Sequence, residues 1–81
     1  MAKKLATALE IQAEINRRLA ASTALDGDCK QCRASLPRQA SPAHYDRNWH
    51  SDMATNCDKG CLSTFADTLR AVGSEYDCSD W

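Results

Sequence analysis

The sequence predicts a mainly α fold, with a small α+β arrangement as its variant: a long N-terminal helix, an irregular zinc-clipped middle of treble-clef type, and a second helix. Three observations carry this. Apolar side chains recur at helical spacing over residues 3–22 and again over 58–72. Residues 23–56 hold both prolines and show no clean period-two alternation. Two tight cysteine pairs, Cys29-Lys30-Gln31-Cys32 and Cys57-Asp58-Lys59-Gly60-Cys61, bracket most of that irregular stretch.

The first helix is expected over 3–22. On a helical wheel Leu5, Ala8, Leu9, Ile11, Ile15 and Leu19 share one arc of about 160°. Lys3, Glu10, Glu14 and Arg17 take the other side. Glu14 precedes Arg17 and Arg18 by one turn, and each pair is worth a few tenths of a kcal/mol. Gln12 and Asn16 fall inside the apolar arc. Either they lie at its shallow edge, or they hydrogen-bond across a helix–helix contact and fix its register. Ser22 to Asp28 ends the helix, with Gly27 free to take a positive φ.

The middle, 23–56, carries at most a short hairpin near the first cysteine pair. A structureless loop this long is uncommon in a compact domain unless something pins its ends. The second helix, 58–72, is the clearest periodic element, with Leu62, Phe65, Ala66, Leu69 and Val72 on one face. Asn56 or Asp58 is placed to cap it, Gly60 weakens its first turn by about 1 kcal/mol, and Gly73-Ser74 closes it. In the tail, 73–81, Tyr76 and Trp81 are expected to fold back onto the helices. The whole of 1–81 reads as a single small domain.

Composition explains why a staple is needed. The chain has 81 residues, 43% of them apolar, yet only one Phe, two Trp and two Tyr. A core alone is marginal at this size. No apolar run follows Lys3-Lys4 to make a secretory signal, and none is long enough to span a bilayer. A cytoplasmic location without membrane contact is expected, where paired thiols more often hold metal than form disulfides. The net charge of −1 excludes the strongly basic balance of a dedicated DNA binder.

Zinc takes four ligands at tetrahedral angles, about 2.3 Å from each sulfur. A C-x2-C turn lets two thiolates converge on one ion. A second pair at a helix start gains from free N–H donors and the positive end of the helix dipole. The expected structural site is therefore Cys29, Cys32, Cys57 and Cys61, holding one Zn2+. Variants exchange one ligand for His44, His50 or Cys78. The alternatives are disulfides, chiefly from Cys29 or Cys32 to the second group, and free thiols. A redox dithiol at Cys29/Cys32 would be the enzymatic reading, but no strand precedes it as in thioredoxin-like patterns.

The order of helix, C-x2-C hook, Pro37/Arg38 loop and Cys57/Cys61 pair opening a helix resembles the small TraR-like members of the DksA family. That resemblance implies zinc at the four cysteines and regulation through RNA polymerase. This chain departs in its C-x3-C second hook, its longer excursion, the lack of a glycine after Cys32, and the absence of an acidic coiled-coil tip.

Other groups are less specific. His44 and His50 with Asp46 and Asp52 lack a phosphate cradle or nucleophile elbow nearby, and Ser35, Ser41 and Ser51 have no activating context. Arg33, Arg38 and Arg47 with Tyr45 and Trp49 have the composition of a single-strand binding loop, against a solvated loop with Trp49 covering the core or the zinc. The favoured function is a non-catalytic zinc-binding interaction module that meets a protein partner, or a second copy of itself, through helix 1. Nucleic-acid or polymerase-associated regulation and thiol redox chemistry are the alternatives.

Overall fold

Residues 3–22, 29–41, 47–51, 54–57 and 59–81 are described by a computed structural model. The mainly α expectation is corrected: the chain is a small mixed α/β fold. Among the described residues two helices, α1 (Ala8–Ala20) and α2 (Leu62–Glu75), combine with six short strands. These are β1 (Lys4–Ala6), β2 (Arg33–Ala34), β3 (Arg38–Gln39), β4 (Trp49–His50), β5 (Ala54–Thr55) and β6 (Tyr76–Cys78). They pair two by two: β1 with β6 in parallel, β2 with β5 and β3 with β4 antiparallel.

The N-terminal helix starts later than its wheel suggests. Thr7 is extended and accepts from the Glu10 N–H (3.2 Å), while Glu10 Oε1 accepts from the Thr7 N–H (3.0 Å). This capping box satisfies two backbone donors at the helix entrance. The tail adds a further acceptor, since Asp80 Oδ2 takes the Ala8 N–H at 2.8 Å. Residues 4–6 instead form a strand, with Lys4 opposite Tyr76 and Ala6 opposite Cys78. The Ser79 N–H donates to the Ala6 carbonyl and extends the ladder. The expected end of the helix at Asp26-Gly27-Asp28 lies outside the described residues.

The second helix also shifts. A single 3-10 turn, Lys59–Cys61, precedes it, and it runs through Gly73-Ser74 to Glu75. Its last turn closes through the Tyr76 N–H on the Val72 carbonyl. Cys61 occupies the N-cap without a side-chain cap bond, so Asn56 does not serve there; Asp58 is outside the described residues.

Ile11, Ile15 and Leu19 of α1 are buried with Phe65, Leu69 and Val72 of α2 and with Trp49. Burying each such side chain is worth about 1.5–3 kcal/mol. Ala66, expected on the apolar face, is exposed. Gln12 and Asn16 turn out to hydrogen-bond, but to a strand rather than to a helix. Asn16 Oδ1 accepts the Ala34 N–H at 2.8 Å and Gln12 Nε2 donates to the Ala34 carbonyl at 3.2 Å. The two side chains thus act as a strand partner for β2 and dock it on α1. Asn48 does the same for β6, accepting the Cys78 N–H and donating to its carbonyl. Trp81 Nε1 in turn donates to the Asn48 carbonyl, which is where the tail's second aromatic goes. Among the described residues no helix is long and apolar enough to cross a membrane.

Candidate functional site

The two cysteine hooks meet. Cys29 opens a 3-10 turn, closed by the Cys32 N–H on the Cys29 carbonyl at 3.2 Å. Side chains three apart in such a turn eclipse, so both sulfurs point the same way. The Arg33 guanidinium folds back and donates to the Lys30 and Cys32 carbonyls, fixing the turn from its C-terminal side. β2 then leaves the hook and is held by α1 through Ala34. On the other side, β5 brings the chain back antiparallel to β2. Asn56 takes a positive φ of 58°, a conformation asparagine tolerates better than most residues, and reverses the chain into Cys57. Cys61 follows at the N-terminus of α2, where unpaired N–H groups and the helix dipole favour a thiolate.

The pairing is crossed. Cys29 is joined to Cys61 and Cys32 to Cys57, with Cα separations of 5.5 and 4.5 Å. The sulfurs are therefore at disulfide distance here rather than set around one ion. With the sulfurs so paired, no group of three or more His, Cys, Asp or Glu among the described residues stands placed to hold a metal ion. The cause is local. Antiparallel β2 and β5 bring the hooks so close that each sulfur meets one from the opposite hook. Cys29, Cys32 and Cys61 are fully buried and Cys57 is half-buried.

Two of the other ligand candidates, His50 and Cys78, are described. The Arg47 guanidinium donates to His50 Nδ1 at 3.1 Å, which requires the tautomer with that nitrogen unprotonated. His44 lies outside the described residues, as do Asp46 and Asp52. Cys78 is a buried free thiol on β6, and burial pushes its pKa up. Ser51 is buried and bonded to Ser35.

The basic loop is largely consumed by structure. Arg33 wraps the hook, and Arg47 is buried with its guanidinium 4.9 Å from the centre of the Trp49 ring. Trp49 itself is fully buried, and its Nε1 donates to the Tyr76 carbonyl. It has no face left on which a base can stack. Tyr45 lies outside the described residues.

Sequence reasoning overlooked Asn48, which ties β4 and β6 together, and the Thr7-x-x-Glu10 capping box, whose signature is present in the sequence. Of the apolar arc it drew, Leu5 and Leu9 are both 70% exposed. A small depression of about 180 Å³ lies between Ala6, Glu10, Ile11, Glu14 and Tyr76. No protein family, curated protein or solved structure matches the chain.

Proposed function

We propose that the chain is a small cytoplasmic interaction module, non-catalytic, whose reduced form is fastened by one structural zinc ion on Cys29, Cys32, Cys57 and Cys61. The observation that supports this is the crossed meeting of the hooks. A tetrahedral site needs both sulfurs of each hook to face one point, and crossed pairing is the arrangement that follows from such facing. Four zinc-bound sulfurs sit about 3.8 Å apart, against about 2 Å in a disulfide. Each sulfur therefore moves by about 1 Å to pass from one geometry to the other. Three fully buried cysteines and a half-buried fourth, with Cys61 at a helix N-terminus, also suit the preference of zinc for thiolate.

The partner is another protein, met through the start of α1 and β1. Leu5 and Leu9 are exposed there, while the rest of the helix 1 apolar arc is consumed within the chain.

Native mass spectrometry of chain purified under reducing conditions tests the zinc. One zinc per chain is expected, lost on Cys57→Ser with Cys61→Ser. Reduced chain that binds no zinc at micromolar concentration overturns the proposal. Sedimentation over a range of concentrations asks whether the partner is a second copy.

A further inference from the structure

We propose that the four-cysteine site is an exchangeable fastening: zinc holds the hooks in the reduced chain, and peroxide converts it into the crossed disulfides Cys29–Cys61 and Cys32–Cys57 without loss of the fold. The inference rests on the zinc reading above and adds the fate of that site under oxidation. Three observations carry it. First, the Cα separations of 5.5 and 4.5 Å fall inside the range that a disulfide spans without backbone movement. These are the separations of the bridged form, and a tetrahedral zinc site asks each sulfur to lie only about 1 Å from its place there. Second, the partners come from opposite hooks, so each bridge still ties β2 and the first hook to the second hook, which leads into α2. Bridges within a hook would release them. Third, the fifth cysteine is kept out of the exchange. Cys78 is 1% exposed on β6, and its backbone is clamped at both groups by the Asn48 amide. Burial also holds its thiol protonated, and a thiol attacks neither peroxide nor a disulfide efficiently.

The chemistry balances with a peroxide as oxidant. Cys57, the most exposed of the four, attacks one peroxide oxygen as a thiolate; the O–O bond breaks and a sulfenic acid forms. The Cys32 thiolate attacks that sulfur, forming the S–S bond and expelling the oxygen as water once protonated. Cys29 and Cys61 repeat the sequence. In all, four thiolates lose four electrons to two peroxide molecules, which take four protons and leave as four waters, and Zn2+ is released.

Trypsin provides a direct readout. Cleavage after Lys30, Arg33, Arg47, Lys59 and Arg70 puts each of the five cysteines on its own peptide. The zinc-loaded full chain is treated with hydrogen peroxide. The expected result is one zinc released per chain, a mass lower by four hydrogens, and linked peptides for 29–61 and 32–57 only. Circular dichroism and a cooperative melt persist after zinc release. Cys78→Ser chain gives the same pairing and the same mass loss. Links of 29 to 32 or of 57 to 61, links to Cys78, or loss of the cooperative melt on oxidation overturn the inference. Failure of the reduced chain to take up zinc instead overturns the zinc reading. The identity of the peptide pairs then still reports on the crossing alone.

Discussion

At the level of single residues, short polar side chains replace backbone pairing that the short strands do not supply. Ala34 has β5 on one side and the amides of Gln12 and Asn16 on the other. The helical wheel placed these two residues in the apolar arc, and the reason they are tolerated there is now specific. Each meets a backbone group that would otherwise be left without a partner inside the protein. Ala34 is 6% exposed, so water does not replace a lost acceptor. Asn16→Ala should therefore cost about 1–3 kcal/mol, the penalty of a buried donor left unsatisfied, and not the few tenths typical of a surface change. Urea denaturation of the oxidised protein measures it. A midpoint equal to that of the parent would show that the Ala34 N–H is satisfied in some other way.

Among the elements, α2 carries a glycine where its last turns pass Arg47. A Cβ at Gly73 would overlap Arg47 Cδ. Arg47 is not free to swing away, because its guanidinium lies over Trp49 and donates to His50 Nδ1. Helix propensity alone says that Gly73→Ala gains about 1 kcal/mol. Packing says the reverse, a loss of about 1–3 kcal/mol, and it should win because the site is buried. The sign depends on one side chain, so it should flip in an Arg47→Ala background, where the space is open. A double-mutant cycle by thermal denaturation decides this. Gly73→Ala stabilising the parent chain would mean that Arg47 repacks without cost. The helix runs through Gly73-Ser74 to Glu75. The glycine is there for close approach, whereas its position in the sequence reads equally well as a terminator.

For the molecule as a whole, the sequence revealed the long-period features and concealed the short ones. The apolar stripes of Ile11, Ile15, Leu19 and of Phe65, Leu69, Val72 each span several turns, so periodicity exposes both helices. Strands of two or three residues have no period to detect. β1 pairs with β6 at a distance of 72 positions, which no local pattern encodes. The four cysteines were legible as one site because their spacing is itself the signal. How their sulfurs pair depends on the register of β2 against β5, and that is a tertiary property. The consequence for stability can be estimated. A chain of 81 residues has a total stability of about 4–12 kcal/mol. Closing Cys29 to Cys61, 32 positions apart, removes unfolded-state entropy worth about 3–4 kcal/mol, and the nested Cys32–Cys57 link adds about 2–3. Losing both removes about 5–7 kcal/mol, more than half of the total at the middle of that range. Reduction in the presence of a strong chelator should therefore lower the melting temperature sharply or abolish the cooperative melt, and weaken the near-ultraviolet dichroism of buried Trp49, while zinc added to the reduced chain restores both. A reduced, chelated chain that melts at the same temperature as the oxidised one would mean that the helices and Trp49 suffice without any link between the hooks.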